Sequence, residues 1–131
     1  MADYTPVYSG GVKPSTHTTS AAVTGGRVVR VSGNGTVAHA GAQAADCLGV
    51  AAQDAASGAR VAVWPLDNCI HEIEAAAAIT AGVAVASAAA GQVEAAVVGA
   101  AATVGGPRTV IGIATTTAAG SPLKVRFVGR S

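Results

Sequence analysis

Residues 22–37, AVTGGRVVRVSGNGTV, decide the fold class of this chain. Valines alternate with other residues on both sides of Asn34-Gly35. Asn-Gly between two extended runs is the strongest short signal for a β-hairpin, and it predicts a type I′ turn with positive φ at both central residues. This stretch therefore predicts a strand, a tight turn and a second strand.

The same pattern returns 56 residues later as AITAGVAVASAAAGQV, residues 78–93, and predicts a second hairpin. LGVAAQDAASGARVAV (48–63) likewise resembles IGIATTTAAGSPLKVRF (111–127), at an offset of 63 that becomes 64 after the turn. About seven extra residues near GAAATVGG (99–106) separate the two blocks of the second copy. We infer a tandem duplication of one unit, with copies at about residues 22–65 and 78–129.

Short strands at close turn spacing predict an all-β fold, a small β-barrel or sandwich formed by residues 21–131 as a single β domain. DAASGARVAV and TAAGSPLKVRF each predict a turn that leads into a strand. Residues 66–77, LDNCIHEIEAAA, join the copies: CIHEIE alternates like a strand, and the alanines after it could add one helical turn.

The long apolar region of residues 74–106 has two other interpretations. A membrane helix needs about 20 strongly apolar residues in a row, whereas this region contains Glu74, Gln92, Glu94, several glycines and mostly alanine. An alanine-rich soluble helix is the better rival. The glycines and the period-two valines favour strands instead, so we expect no membrane segment.

Residues 1–20 lie outside the repeat and predict an extended N-terminal arm. The segment is polar and contains two prolines and a Gly-Gly, yet it carries both tyrosines of the chain. We favour an arm that docks on another chain, for example by adding a strand to a sheet edge. A disordered tail and an arm folded on its own barrel remain as alternatives.

Large core residues are scarce, since aromatic residues make up only 3% of the chain and much of the apolar content is alanine. A core with few large side chains favours further burial against other subunits. Trp64 is the candidate anchor of such a subunit interface. The net charge of +1 provides no basic stripe, so we expect no nucleic-acid partner.

The sequence predicts no enzyme: it has no catalytic, cofactor-binding or metal site. SGNGTV lacks the third glycine of a dinucleotide fingerprint, and no nucleophile, base and acid are recognisable as a set. Asp67, Cys69 and His71 share one face of a predicted strand, but a zinc site needs three or four ligands at suitable spacing. We read Cys69 as buried and His71 as partly exposed. Cys47 and Cys69 form no disulfide framework, and their pairing stays open.

Taken in order, the arm ADYTPVY and the segments TSAAVTGGRVVRVSGNGTV, CLGVAAQDAASGARVAVW, HEIEAAAAITAG and VIGIATTTAAG resemble the head decoration, or capsid cement, proteins of tailed bacteriophages. The resemblance implies a structural virion protein with no cofactor, a β-barrel-like domain that is usually a homotrimer. It would bind the outer surface of the head and cement neighbouring major capsid proteins around the packaged DNA, after assembly in the bacterial cytoplasm. By position, the capsid-binding arm would comprise Tyr4, Thr5, Pro6, Val7 and Tyr8.

A receptor- or glycan-binding module displayed on a virion is the alternative from another class. Such modules usually need exposed aromatic residues, and here only Trp64 and the two arm tyrosines are available. Deletion of residues 2–9 should leave the trimer intact and abolish capsid binding if the arm has the role that the resemblance implies.

Overall fold

A computed structural model describes residues 3–96 and 109–129, which form two β modules. The first module consists of β1 (Ser15–Thr19), β2 (Val28–Gly33), β3 (Thr36–His39), β4 (Cys47–Ala51) and β5 (Arg60–Pro65), and it closes into a barrel in the order β1-β3-β2-β4-β5. The second consists of β6 (Ile70–Glu74), β7 (Ala84–Ser87), β8 (Val93–Ala95), β9 (Gly112–Ala114) and β10 (Lys124–Gly129), in the order β6-β10-β9-β7-β8. The all-β prediction is confirmed. The predicted insertion at 99–106 lies outside the described residues.

The two modules share one pairing scheme, with β1 to β5 corresponding to β6 to β10. The register agrees as well as the order: Val28 opposes Val50 and Ala84 opposes Ile113, while Val50 opposes Trp64 and Ile113 opposes Val128. The parallel pair Thr19 and Val37 that closes the barrel has its counterpart in a bridge between Ala75 and Val93. A tandem duplication predicts such matched pairs, and the duplication itself stays a prediction.

The first module begins earlier in the chain than the sequence indicates. The predicted arm ends at residue 20, whereas Ser15–Thr19 form β1, which lies between β5 and β3 in the barrel. STHTT lacks the apolar alternation of a half-buried strand, but Thr19 is buried and its hydroxyl donates a hydrogen bond to the Ala56 carbonyl at 2.6 Å. The arm of the folded chain therefore ends before Ser15.

Residues 66–77, which join the two modules, contain a strand and no helix. The strand predicted in CIHEIE is confirmed as β6, the counterpart of β1. The helical turn suggested after Glu74 is wrong, since residues 75–78 contain no helix. The Ala75 amide donates instead to the Leu123 carbonyl and the Ala76 amide to the Val93 carbonyl, each at 2.8 Å. No helix within residues 3–96 and 109–129 is long and apolar enough to cross a membrane.

Both predicted hairpins are confirmed, but their turns differ. In the first, Gly35 has φ +75° while Asn34 is not left-handed, so the predicted type I′ turn is wrong there. The register shifts between Val31 and Gly33, and such a bulge combined with one left-handed glycine is an alternative way to match the strand twist. In the second hairpin, Ala90 and Gly91 are both left-handed, with φ of 57° and 74°.

The modules are held together by a shared core. The barrel interior forms one cluster, made of Val23, Val29, Val37, Ala51, Val61 and Val63. The second cluster contains the corresponding side chains of the second module, among them Ile79, Val85 and Phe127, and it also contains Val28 and Val50 from the outer face of the barrel. The outer face of one module thus completes the core of the other.

Candidate functional site

The N-terminal arm lies on its own chain in this structure. The Tyr4 amide donates to the Ala52 carbonyl at 2.7 Å, and the Val7 amide donates to the Ile70 carbonyl at 2.9 Å. The Ile70 amide in turn donates to the Tyr8 carbonyl at 2.8 Å. Of the three alternatives for the arm, the structure has the arm folded on its own chain: Tyr4 contacts the barrel just after β4, and Tyr8 pairs with Ile70 at the edge of β6 in the second module.

Tyr4 closes a buried hydrogen-bond network around His71. The His71 Nε2 atom is 2.9 Å from the Pro65 carbonyl, which can only accept, so Nε2 carries the proton. His71 Nδ1 then accepts from the Tyr4 hydroxyl at 2.8 Å, and the Glu72 amide donates to that hydroxyl at 3.3 Å. Burial lowers the pKa of His71 and raises the pKa of Tyr4, so both groups are held neutral.

His71 is completely buried, which corrects the expectation of a partly exposed side chain. The ring stacks against Tyr4 with centroids 5.8 Å apart, and it also contacts Phe127. Sequence alternation places His71 on the inner face of β6, but the side chain that covers its ring is Tyr4 of the arm. Sequence reasoning missed this network because its two main partners are 67 residues apart.

The five predicted arm residues divide between two environments. Tyr4 is half-buried and Pro6 is buried against the chain itself, whereas Thr5, Val7 and Tyr8 are exposed. Only these last three side chains therefore present their surfaces to a partner while the arm stays docked.

Trp64, the predicted subunit anchor, is half-buried and contacts the arm of its own chain. Its indole N–H donates to the Tyr4 carbonyl at 3.3 Å. Its role in a subunit interface stays a prediction.

An apolar row crosses the outer face of the second module, and the sequence analysis did not find it. Ile113, Val128, Ile70 and Tyr8 oppose one another on successive strands. Ile113 is 43% exposed, Val128 40% and Tyr8 62%. A groove of about 350 Å³ lies beside Tyr8, Ile70 and Val128. Only the strand register brings these side chains together, so no local motif could reveal them.

The candidate zinc ligands Asp67, Cys69 and His71 do not form a metal site in the described part of the chain. The Cys69 thiol donates to the Ser9 carbonyl at 3.7 Å, Asp67 is exposed, and both His71 nitrogens are occupied as described. Cys47 and Cys69 are free thiols. Within the described ranges, no three His, Cys, Asp or Glu side chains cluster in a way that could hold a metal ion.

The chain is thus an all-β domain of two small modules with a docked arm and an exposed apolar row. Residues 9–128 match the family model described as phage cement protein. The chain therefore belongs to the phage cement protein family, whose members are virion structural proteins. The resemblance inferred from the sequence is thereby confirmed.

The fold is also found in a solved structure, the head fiber gp8.5 N base of bacteriophage phi29. The two chains are 20% identical and superpose with a TM-score of 0.63, over 89% of this chain and 92% of the phage protein. At this identity the likeness concerns the fold. No curated protein sequence matches this chain.

Proposed function

We propose that this protein binds the outer surface of a phage capsid and cements neighbouring major capsid proteins, which stabilises the DNA-filled head. The observation that carries the proposal is membership of the phage cement family over residues 9–128. The fold likeness to a phage head fiber base supports it. Assembly would take place in the cytoplasm of the bacterial host, and the mature protein would be part of the virion.

The capsid contact is proposed to involve the exposed side of the arm. Tyr4 and Pro6 fix the arm to the domain, and Thr5, Val7 and Tyr8 face outward. Val7 and Tyr8 are among the most exposed large apolar side chains in the described part of the chain, at 48% and 62%. An arm fixed in this way needs little further ordering when it binds, so less entropy is lost.

Self-association, in our proposal as a homotrimer, would strengthen this contact. Three arms on one particle act together, and such linkage can raise effective affinity by about 10²–10⁴ over a single contact. Weak individual arms are then sufficient for stable attachment to a head.

Co-sedimentation with expanded phage heads that lack this protein tests the proposal. We expect saturable binding by the wild type and loss of binding when Val7 and Tyr8 are both replaced by Asp. Thr16→Asp, at an exposed position of β1 outside the arm, is the matched control and should bind normally. The point variants are sharper than deletion of residues 2–9, since the deletion would also uncover His71.

Each outcome of the head-binding experiment decides something different. Normal binding by the Val7→Asp, Tyr8→Asp variant would remove the arm from the contact. No binding of the wild type at any ratio would overturn the cement function, and binding to a glycan array would then favour the receptor-binding alternative.

A further inference from the structure

We infer that the N-terminal arm is released by acid: protonation of His71 detaches the segment around Tyr4 from the domain, while the two β modules stay folded. The inference concerns the free protein, so it goes beyond the proposed capsid contact and does not depend on it. The arm has a docked state at neutral pH and an open state that acid favours.

Tyr4 is the part of the arm that responds to the charge of His71. Its hydroxyl donates to His71 Nδ1 at 2.8 Å, while His71 Nε2 donates to the Pro65 carbonyl at 2.9 Å. An imidazole that accepts at one nitrogen and donates at the other is in its neutral form. A second proton would occupy Nδ1, and the Tyr4 hydroxyl could then no longer donate to that atom.

The Tyr4 hydroxyl cannot simply reverse its role in the docked arm. It already accepts from the Glu72 amide at 3.3 Å. If it also accepted from a protonated Nδ1, its own proton would lose the acceptor that it has now. A polar group left unpaired beside a buried ring is unfavourable, so protonation of His71 weakens the docked state.

The surroundings of His71 do not stabilise a positive charge on its ring. The titratable or charged side chains on the elements packed against His71 are Asp3 and Tyr4 on the arm, Cys69 just before β6, Glu72 and Glu74 on β6, Lys124 and Arg126 on β10, and Arg60 at the far end of β5. Tyr4 and Cys69 lie on the same side as His71, and burial raises both of their pKa values, so both are neutral. Glu72 lies on the opposite face of β6 and pairs with Arg126 at 3.1 Å.

The arm is the part of the cover over His71 that can leave without unfolding a module. Phe127, which contacts the ring, belongs to the core cluster of the second module, and Pro65 ends β5. The third contact is Tyr4, which precedes every strand of the barrel. Departure of Tyr4 would admit water, which solvates an imidazolium ion.

The arm is attached in a way that permits this opening. Its contact with β6 is an isolated bridge between Tyr8 and Ile70. It continues to β1 through Gly10-Gly11, two exposed residues with left-handed φ of 60° and 84°. Glycine adopts such backbone without strain and has many alternatives to it, so this pair is a suitable hinge.

Release would change the surface that the protein presents. Pro6 is buried now, and the Ile70 amide and carbonyl are paired with the arm. All of these groups would become accessible. An unpaired strand edge is a place where another chain can add a strand. Acid would thus exchange a docked arm for a free arm and an open edge of β6.

Hydrogen exchange of the Tyr4 and Val7 amides tests the inference, with each rate divided by the intrinsic rate at the same pH. Between about pH 7.5 and about pH 5 the opening of the arm should increase several-fold, up to a limit of about 30-fold set by an ordinary histidine pKa of about 6.5 in the open state. The Ala51 amide, which donates to the Arg27 carbonyl in the barrel, is the internal reference and should exchange far more slowly at both pH values.

Two histidine variants assign the acid response. His71→Gln keeps a donor and an acceptor on the side chain but cannot take up a proton in this range, so the increase should disappear. His39→Gln is the matched control. Burial also lowers the pKa of His39, but its ring binds the Thr24 amide rather than the arm, so the increase should remain.

The reciprocal measurement is the pKa of His71 itself, by NMR titration of the full chain. Docking and protonation are linked, so loss of the Tyr4 side chain must act on His71. In Tyr4→Ala the pKa of His71 should rise toward the ordinary value, and in Tyr8→Ala it should stay unchanged. This measurement keeps the inference testable should His71→Gln fail to fold.

Four results would overturn the inference. They are opening that does not increase in acid, an increase that persists in His71→Gln, an unchanged pKa of His71 in Tyr4→Ala, and arm amides that exchange as slowly as the Ala51 amide. The last result would mean that the arm opens only when the barrel unfolds. Phage heads are absent from all of these measurements, so failure of the capsid proposal is recognised separately, by loss of wild-type head binding.

Discussion

Gly91 and Gly58 have nearly the same left-handed backbone, with φ of 74° and 83°, but very different surroundings. A Cβ atom on Gly91 would lie 2.7 Å from the Val28 carbonyl, whereas one on Gly58 would meet nothing within 4 Å. Left-handed φ costs a residue with a Cβ atom about 1–2 kcal/mol. Gly91→Ala should lower the free energy of unfolding further, because the modules must move apart to make room for the Cβ atom.

We expect Gly58→Ala to lower the free energy of unfolding by about 1–2 kcal/mol, and Gly91→Ala to lower it by roughly 1–3 kcal/mol more, as overpacking typically does. Urea unfolding of the two variants at equal protein concentration measures the difference. Equal losses would mean that the contact between Gly91 and Val28 does not hold the modules together.

His71 makes stability sensitive to acid. Burial lowers the pKa of its folded form below the ordinary value of about 6.5, so below that pH the unfolded chain binds more protons than the folded chain. The contribution of His71 is therefore complete above about pH 6.5 and is lost as the pH falls toward the folded-state pKa. His39 acts in the same direction, because burial and the nearby Arg27 charge lower its pKa.

The free energy of unfolding should therefore decrease between about pH 8 and about pH 5, on either side of the ordinary histidine pKa. In His71→Gln the decrease should be smaller, and in the double variant with His39→Gln it should be smaller still. Comparing the free energies of unfolding at the two pH values within each variant cancels the part of the substitution's effect that does not depend on pH. An unchanged decrease in the double variant would assign the acid sensitivity to other groups.

Among the elements, the arm is held by backbone hydrogen bonds to the sheet, by the Trp64 indole N–H and by the side-chain network around His71. Tyr4→Phe removes the hydroxyl that donates to His71 and accepts from the Glu72 amide. Leaving buried polar groups without partners costs about 1–3 kcal/mol. The arm should therefore open more often.

Hydrogen exchange of the Tyr4 and Val7 amides measures this opening, since both are bonded only while the arm is docked. Exchange should be faster in Tyr4→Phe than in the wild type. The control is Tyr8→Phe, in which the lost hydroxyl belongs to an exposed side chain, and exchange should be unchanged. Equal rates in all three proteins would show that the backbone pairing alone keeps the arm in place.

At the scale of the whole molecule, the two modules should unfold as one unit. Val28 and Val50 belong to the barrel by sequence, yet they pack in the core cluster of the second module. Neither module keeps a complete apolar environment without the other, and shared burial couples their unfolding.

Val50→Ala tests this coupling. Truncation of this completely buried side chain should lower the free energy of unfolding by about 2 kcal/mol. Trp64 fluorescence follows the barrel and far-UV circular dichroism follows both modules, and the two transitions should coincide before and after the substitution. Separate transitions would mean that the modules are independent domains.

The amino-acid sequence alone was sufficient to predict the fold class and the two hairpins and to show the resemblance to cement proteins. Alternating valines around Asn34-Gly35 and Ala90-Gly91 specify extended chain and tight turn locally, and local geometry is what a two-residue period encodes. The strand in CIHEIE followed from the same alternation.

The residues that cover each apolar face are known only from the folded chain. The sequence did not predict β1, because its polar side chains show no apolar alternation and their hydrogen-bond partners lie far along the chain, as Ala56 does for Thr19. His71 is covered by Tyr4 of the arm, 67 residues earlier in the chain. The exposure of Ile113 and Val128, against the burial of Val50 at the matching position, follows from how the modules pack. Periodicity shows which side of a strand is apolar, and the partner on that side is set by contacts far apart in the chain.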